Sequence, residues 1–331
     1  MSWQSAVVCW VLKRQFRPET EKPHVSVERA RERTAERVWS PKVPSGWRLV
    51  ERYAPGEAPL RGEWLEPIAK AAASANAATP EATDGAPMRT ILYLHGGGYY
   101  FCSPRSHRSL VFQLAARSGA RTFSLDYRLA PEHPFPAALD DALAAYRRLV
   151  ADGTPPDSIV LAGDSAGGGL ALALLVALRD SGNALPAAAL LFSPWTDLAA
   201  TGDTLVTNDG ADPMFRGAAV ARAARFYLGD TEPTHPYVSP VYADLAGLPP
   251  LFIQAGSTEV LLDDARRTAK RAKAAGVAVD FEVWREMPHV WQLFAPFVPE
   301  ARRALDRAAA FARRHANERR RQPSAERSIA S

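Results

Sequence analysis

Short apolar runs and longer segments with helical periodicity alternate along the chain from residue 90 onward. The apolar runs predict buried β-strands at 90–94, 121–125, 158–162, 188–192, 250–255 and 277–284. The segments between them favour helices at 106–118, 136–151, 168–179 and 261–275, and a last helix is predicted from residue 299. This alternation predicts an α/β protein in which helices cover both faces of a mainly parallel sheet. Ligands of such sheets bind at the carboxyl ends of the strands.

The first 45 residues do not show this alternation of strands and helices, and their pattern of apolar and polar residues favours amphipathic helices. Trp3, Val7 and Trp10 recur there at helical spacing. Tryptophans on such a helix suit three roles, namely a cover over a pocket, a contact with a membrane surface and a packed core. The pattern of these residues alone leaves the three roles open.

Between this segment and residue 90 the pattern changes twice. Two early strands are predicted at 48–53 and 60–65, joined by a turn that contains a Pro-Gly pair. Residues 71–87 are rich in Ala, Ser, Thr and Pro and show no apolar period, so an exposed flexible loop is expected there.

Composition limits the class of protein further. A chain of 331 residues that is 47% hydrophobic can bury one large core with a small accessory piece. No apolar run reaches the roughly 18 residues of a membrane span, and basic residues follow the short run 6–12 rather than precede it, which is the wrong order for a secretory signal. Cys9 and Cys102 cannot form a disulfide framework. We therefore expect a cytoplasmic protein without an integral membrane segment.

The net charge of +4 comes from the C-terminal tail. From residue 313 onward the tail carries six arginines against two glutamates, so the rest of the chain is neutral. An Arg-rich tail suits a contact with nucleic acid or anionic lipid, but a solvated, frayed terminus is the preferred explanation, and we expect no nucleic-acid partner.

A candidate nucleophile, Ser165, lies in the sequence Gly-Asp-Ser-Ala-Gly at 163–167. A strand is predicted directly before this pattern and a helix directly after it, which is the context of the nucleophile elbow of serine hydrolases. The glycines are needed because the turn is strained and the neighbouring backbone is crowded. The start of the following helix favours negative charge at the serine.

A serine nucleophile needs a histidine base and an acid that orients the base, in the chain order Ser, acid, His for this kind of elbow. His235 and His289 follow Ser165, and His289 lies in the loop between the last strand and the last helix, where it can reach over the sheet. The acid is expected in the loop after strand 250–255, which favours Glu259 and places Asp263 next. The full set of candidate acids is Asp197, Asp212, Glu259, Asp263 and Asp264.

The run His95-Gly-Gly-Gly follows the strand 90–94 and suits an oxyanion hole. Glycines let backbone amides approach a substrate closely, and the amide after the nucleophile, that of Ala166, adds another donor. A phosphate loop would need a Gly-Lys-Ser/Thr sequence, and the chain has neither that sequence nor paired histidines at metal-ligand spacing. We therefore expect no cofactor and no metal.

Taken together, these motifs resemble the hormone-sensitive-lipase-like family of α/β-hydrolases, in its bacterial carboxylesterase branch. The resemblance spans residues 90–295 and is carried by His95-Gly96-Gly97-Gly98-Tyr99-Tyr100, by Asp126-Tyr127-Arg128-Leu129-Ala130-Pro131-Glu132, by Gly163-Asp164-Ser165-Ala166-Gly167-Gly168 and by the His289 segment. It implies an α/β-hydrolase fold with a mostly parallel eight-stranded sheet, flanking helices and a helical cap.

The resemblance also implies roles for residues of this chain. The catalytic triad would be Ser165, Glu259 and His289, with Gly97, Gly98 and Ala166 as the oxyanion hole. Many relatives have Asp-Pro-Leu where this chain has Glu259-Val260-Leu261, so the acid differs in identity while a carboxylate is kept. Asp126, Tyr127 and Arg128 would brace the oxyanion loop. The residues expected to line the substrate pocket are Tyr100, Phe101, Phe215 and Trp291.

In similar proteins the N-terminal helices join an insertion after the sixth strand to form the cap, which favours the covering role for the N-terminal tryptophans. The implied domains are N-terminal cap helices at 1–46, a hydrolase core at 47–197 and 238–316, a cap insertion at 198–237 and a basic flexible tail at 317–331. Relatives often form homodimers through the last strand, here near 281–284.

The expected function is that of a serine carboxylesterase that hydrolyses small-molecule esters of short to medium acyl chains through an acyl-enzyme. An amidase, formamidase or deacetylase would use the same triad. A ligand-binding receptor on the same fold is disfavoured, because the receptors that resemble this family have lost the histidine that this chain keeps as His289.

Overall fold

Eight β-strands hydrogen-bond into one sheet at the centre of the fold. The structure, a computed structural model, describes residues 1–24, 26–36, 40–68 and 89–318, so the predicted loop at 71–87 and most of the basic tail lie outside the described residues. The strands are β1 Trp47–Arg52, β2 Gly62–Pro67, β3 Thr90–Leu94, β4 Arg121–Leu125, β5 Ile159–Asp164, β6 Ala188–Phe192, β7 Leu251–Gly256 and β8 Val279–Trp284.

The strand order is β1-β2-β4-β3-β5-β6-β7-β8. The pairs β1/β2 and β2/β4 are antiparallel, and every later pair is parallel. The mostly parallel eight-stranded sheet expected from the sequence is therefore confirmed. Its parallel strands are buried apolar runs because helices cover both of their faces.

Ten helices surround the sheet within the described ranges. They are α1 Trp3–Gln15, α2 Arg17–Glu21, α3 Val27–Glu36, α4 Pro104–Ser118, α5 Ala137–Ala151, α6 Ala166–Asp180, α7 Thr204–Thr207, α8 Gly217–Leu228, α9 Leu262–Ala274 and α10 Pro299–Glu318. None of the helices in the described part of the chain is long and apolar enough to cross a membrane.

The two faces of the sheet belong to two separate apolar clusters. In β3, Leu92 and Leu94 face the cluster that contains α5, α6 and α9, whereas Ile91 and Tyr93 face the cluster that contains α4 and α10. All four side chains are fully buried. Successive side chains of a strand point to opposite faces of the sheet, so this five-residue strand contributes to both apolar clusters.

The N-terminal helices pack on the segment that follows β6. Arg17 of α2 is 6% exposed, and its guanidinium donates hydrogen bonds to the carbonyl oxygens of Asp209, at 2.7 Å, and Asp212, at 2.6 Å. The Phe16 ring meets Phe215 edge to face, with the ring centres 5.7 Å apart. These contacts tie residues that are almost 200 positions apart in the chain.

The tryptophans of α1 face solvent, although a role as a cover over a pocket would require them to face the protein. Trp3 is 73% exposed and Trp10 is 57% exposed, whereas Leu12 on the opposite side of the helix is buried. The covering role preferred for these tryptophans is therefore wrong, although Phe16 and Arg17, which follow α1 directly, do contact the insertion. The physical reason is that α1 is apolar on both faces, so spacing alone does not indicate which face is turned inward.

Candidate active site

Ser165 lies at the sharp turn between β5 and α6 with a backbone φ of 53° and ψ of −123°. This conformation is strained for a residue with a side chain. It is held by hydrogen bonds from the Ser165 amide to the carbonyl oxygen of Phe192, at 2.9 Å, and from the Trp195 amide to the Ser165 carbonyl oxygen, at 2.9 Å.

The glycines on either side of Ser165 are required by close backbone contacts. A Cβ at Gly163 would overlap the carbonyl group of Gly167, and a Cβ at Gly167 would overlap the carbonyl oxygen of Leu94. The Gly-x-Ser-x-Gly pattern is therefore explained by packing of the turn against itself and against the end of β3.

His289 and Glu259 form a buried pair at the carboxyl end of the sheet. The His289 Nδ1–H donates a hydrogen bond to Glu259 Oε2 at 2.8 Å, and the two side chains are 3% and 0% exposed. This bond leaves Nε2 as the proton-accepting nitrogen of the neutral ring. Nε2 is buried and has no hydrogen-bond partner among the described residues, so it is available to take a proton from a neighbouring group.

The Glu259 carboxylate raises the pKa of His289 above its usual value. Burial alone would lower this pKa, since it disfavours the charged ring, but attraction to Glu259 and the hydrogen bond from Nδ1 outweigh burial, with a smaller contribution from Asp212. The pair therefore stabilises the imidazolium that forms when the histidine accepts a proton.

Ser193, which the sequence analysis did not single out, supports this pair. Its hydroxyl donates to Glu259 Oε1 at 2.7 Å and accepts a hydrogen bond from the Val290 amide at 3.1 Å. The amide of Gly256 donates to the same carboxylate oxygen. The position of Ser193 directly after β6 was the signal that could have found it, because polar groups at the carboxyl ends of parallel strands converge.

Asp263, the second candidate acid, points away from the histidine. Its Oδ2 accepts a hydrogen bond from the Thr204 amide at 3.1 Å, and its Oδ1 lies 3.4 Å from the Arg266 guanidinium. No hydrogen bond joins it to His289 among the described residues.

The remaining candidate acids also have structural partners. Asp197 pairs with Arg267 at 2.6 Å, and Asp264 accepts hydrogen bonds from two backbone amides, including that of Asp197 at 2.8 Å. Burial and the neighbouring Asp197 carboxylate raise the pKa of Asp264 to about 8. Asp212 accepts hydrogen bonds from three backbone amides, one of them the Val260 amide at 2.9 Å, and so ties the insertion to the loop that carries the glutamate.

The glycine run after β3 has the backbone conformation expected of an amide cradle. Gly97 and Gly98 have φ values of 112° and 58°, which side-chain-bearing residues rarely adopt. Among the described residues, neither of their amides donates a hydrogen bond, whereas the Gly96 amide donates to Asp164 Oδ1 at 3.0 Å. Ala166 is the first residue of α6, so its amide has no acceptor within that helix.

A buried cluster around Asp164 braces this loop. Besides the Gly96 amide, the Tyr93 hydroxyl donates to Asp164 at 2.5 Å, and His107 Nε2 lies 3.2 Å from the same carboxylate. Although burial raises the pKa of Asp164, the His107 ring and the Tyr93 hydroxyl bring it below the usual value. Asp164 therefore connects the elbow to the glycine loop, a role that the sequence analysis did not assign.

Of the three consecutive residues 126–128 that were expected to brace the oxyanion loop, one contacts that loop. The Tyr127 hydroxyl donates to the His95 carbonyl oxygen at 2.7 Å, and the two rings stack with centres 4.3 Å apart. Asp126 pairs instead with Arg61 and Arg128 with Asp141, both near the surface. Burial lowers the pKa of His95 to about 3, so this histidine stays neutral and structural.

The four expected pocket residues lie in different places. The Phe215 ring meets His289 edge to face, with centres 5.1 Å apart. Tyr100 and Phe101 lie on the glycine loop with their ring centres 4.7 Å apart. Trp291 lies in the apolar cluster against α10, with its ring centre 5.7 Å from that of Trp284, so its burial is explained by core packing.

These elements define an α/β hydrolase. Residues 91–293 match the family described as having the alpha/beta hydrolase fold. An acetyl-hydrolase from Streptomyces hygroscopicus is 52% identical over 71% of this chain and 77% of its own length. An esterase from Acinetobacter venetianus is 39% identical over 67% of this chain and 74% of its own.

Solved structures narrow the class. A crystal structure of an esterase from the bacterial hormone-sensitive lipase family has a TM-score of 0.82 and 40% identity, over 96% of this chain and 99% of that one. An esterase/lipase from an uncultured bacterium has a TM-score of 0.83 and 37% identity over the same shares. The chain therefore belongs to the hormone-sensitive-lipase-like α/β hydrolases, and it is a carboxylic ester hydrolase. The resemblance found in its motifs is confirmed.

Proposed function

We propose that this protein is a serine carboxylesterase for esters of short to medium acyl chains, with Ser165 as nucleophile, His289 as base and Glu259 as the acid of the triad. The observation that carries the proposal is the buried hydrogen bond between His289 and Glu259, which leaves Nε2 of the ring without a partner among the described residues. The strained elbow at Ser165 supports the proposal, since it follows β5 at the carboxyl end of the same sheet. No other candidate acid hydrogen-bonds to that ring among the described residues.

In the proposed reaction, Ser165 Oγ attacks the ester carbonyl carbon while its proton passes to His289 Nε2. The charge that develops on the carbonyl oxygen is stabilised by the amides of Gly97, Gly98 and Ala166, at the start of α6. Glu259 stabilises the imidazolium. The ring then gives its proton to the departing alkoxide, and an acyl-enzyme remains.

Water completes the cycle. His289 Nε2 takes a proton from a water molecule, the hydroxyl oxygen attacks the acyl carbon, and the second tetrahedral intermediate collapses. The proton returns to Ser165 Oγ, and the carboxylic acid leaves. No metal or cofactor step is needed, because acyl transfer requires only proton transfers and oxyanion stabilisation.

The proposed cap combines residues 1–46 with the insertion 198–237, over a core of 47–197 and 238–316. The contacts of Arg17 and Phe16 with the insertion support this division. The aromatic ring of Phe215 lies against the proposed base, and Tyr100 packs against Phe226 of the insertion, with ring centres 5.1 Å apart. Such crowding favours a short acyl group, in line with the 52% identity to an acetyl-hydrolase. Dimerisation through the edge strand β8 stays a prediction.

Hydrolysis of p-nitrophenyl esters from acetate to palmitate tests the proposal, with Ser165→Ala as the control. We expect kcat/KM to peak at acetate or butyrate and to fall by several orders of magnitude in the variant, while its melting temperature changes little. A folded wild-type protein that cleaves no ester, or a Ser165→Ala variant that stays active, would overturn the proposal. Turnover of p-nitroanilides in place of esters would redirect it to an amidase.

A further inference from the structure

Helix α1 presents an apolar face to solvent. Trp3, Val7 and Trp10 lie one turn apart along the helix and are 73%, 50% and 57% exposed. On the opposite side, Ser5 and Leu12 are buried against the protein. We call the three exposed residues the outer face of α1.

This outer face differs from the surface of an ordinary helix of a globular protein. Such helices turn polar residues outward, and large exposed apolar side chains grouped on one face mark an interaction site. Tryptophan in particular suits the boundary between water and acyl chains, because its ring is apolar and its N–H is polar. Packing within the described protein does not explain two tryptophans in this position.

The charges on α1 itself have one sign. Of the carboxylates near its N-terminal end, Glu286 lies 3.7 Å from the Met1 ammonium group, and Glu300 accepts hydrogen bonds from the Ser2 and Ser5 hydroxyls. The helix contains no acidic residue, and both cations of its last turn, Lys13 and Arg14, are exposed. The Arg14 guanidinium lies over the Trp10 ring at 4.8 Å from its centre, which places positive charge directly beside the apolar side chains. This combination complements an anionic lipid surface.

Nearby carboxylates do not cancel these cations. Glu19 of α2 is paired with Lys22 at 2.7 Å and with Arg33 at 2.8 Å. Glu21 of the same helix is paired with Arg216 at 2.9 Å.

The inner side of α1 reaches the proposed active site. The Ser5 hydroxyl lies 4.0 Å from the sulfur of Met287, two residues before His289. Phe16, directly after α1, contacts Phe215, which in turn contacts the His289 ring. A surface bound to the outer face would therefore lie one helix diameter from the histidine loop.

We propose that α1 is an interfacial helix that lies flat on an anionic lipid surface, with Trp3, Val7 and Trp10 in the acyl-headgroup boundary and Lys13 and Arg14 at the lipid phosphates. The proposal goes beyond ester hydrolysis and does not depend on it, because binding is measured without turnover. If both hold, the surface that supplies an acyl ester is also the surface that holds the enzyme.

The experiment is flotation of the full-length protein with large unilamellar vesicles of phosphatidylcholine containing 50% phosphatidylglycerol, beside vesicles of phosphatidylcholine alone. We expect flotation with the anionic vesicles and little with the neutral ones. Replacing the outer face by Trp3→Gln, Val7→Gln and Trp10→Gln should weaken binding by at least about tenfold. The pair Lys13→Gln and Arg14→Gln should weaken it by about fivefold per charge.

A matched control removes exposed apolar side chains elsewhere. Val206 and Val50 are 80% and 37% exposed, so Val206→Ser with Val50→Ser should leave flotation unchanged. Hydrolysis of soluble p-nitrophenyl acetate by all variants shows that they are folded, and it reports on the proposed function separately.

Three results would overturn the proposal. The first is no flotation with anionic vesicles, and the second is flotation that the outer-face variant retains. The third is a wild-type dimer in sedimentation that the outer-face variant dissociates without any vesicle binding, because the outer face would then be covered by a second copy of the chain.

Discussion

Replacing Glu259 by glutamine keeps the size of the side chain but removes one acceptor from a carboxylate that now accepts from three donors. Those donors are the His289 ring, the Ser193 hydroxyl and the Gly256 amide. Glutamine offers one acceptor oxygen and an NH₂ group. The NH₂ group, itself a donor, must therefore lie opposite one of the donors that the carboxylate now accepts from.

Either orientation of the glutamine amide damages the proposed base. If the NH₂ faces His289, the ring must accept at Nδ1, and its proton moves to Nε2, which then cannot take the proton of Ser165. If the NH₂ faces Gly256, two buried donors oppose each other, at a cost of about 1–3 kcal/mol. The wrong histidine tautomer in a Ser-His-Asp triad lowers kcat by about 10⁴-fold. We therefore expect the kcat/KM of Glu259→Gln to fall by about 10³- to 10⁴-fold, which corresponds to a loss of roughly 4–5.5 kcal/mol of transition-state stabilisation.

The assay is kcat/KM for p-nitrophenyl butyrate from pH 5 to 9. In the wild type, activity should rise with pH through a pKa above the usual value of histidine, because only the neutral ring is a base and Glu259 raises the pKa of His289. In Glu259→Gln that attraction is lost, while burial still lowers the pKa of His289. The rise of kcat/KM with pH should therefore occur at lower pH, and kcat/KM should level off at a much lower value.

Asp263→Asn is the matched control, since Asp263 lies four residues further on and contacts Thr204 and Arg266. It should keep kcat/KM within a few-fold of the wild type. A Glu259→Gln variant that retains a tenth of the activity, or an Asp263→Asn variant that loses it, would refute the assignment.

Other residues yield further predictions. Ser193→Ala removes a donor to the Glu259 carboxylate, so kcat/KM should fall about ten- to a hundredfold, and an unchanged value would show that Gly256 is a sufficient support. Phe215→Ala opens space at His289 and should raise the octanoate-to-acetate ratio of kcat/KM about tenfold; a constant ratio would remove Phe215 from the acyl site. Because burial and Asp197 raise the pKa of Asp264 to about 8, the folded protein binds a proton that the unfolded chain releases above pH 3.8. The free energy of unfolding should therefore fall as pH rises between these values, and Asp264→Asn should flatten this slope in urea titrations at pH 5 and pH 7.5. Equal slopes would argue against a protonated Asp264.

The orientation of side chains within one loop was not predictable from sequence. Glu259, Asp263 and Asp264 lie within six residues, and all follow the same strand. The connection between β7 and α9 turns Glu259 toward His289, while the first turn of α9 points the two aspartates at α7 and at the segment after β6. Sequence position ranked these acids, but the backbone path of a short loop decides which carboxylate reaches the His289 ring in the loop after β8.

The same limit applies to supports that come from distant segments. Ser193 and Glu259 are 66 residues apart, and Tyr93 and Asp164 are 71 apart. Nothing in the local pattern of either member identifies its partner, because the pairing of β6 with β7 brings Ser193 near Glu259 and the pairing of β3 with β5 brings Tyr93 near Asp164.

What the sequence determined by itself was the alternation of strands and helices, the elbow at Ser165, the glycine loop and the histidine after the last strand. These features are local, since apolar period and turn chemistry act over a few residues. What the tertiary structure decided was which acid meets the histidine, which residues hold that acid, and which face of α1 is turned to solvent. Each depends on how segments far apart in the chain pack together. Helix α1 has apolar residues on both of its faces, so only its packing against the rest of the protein determines which face is buried.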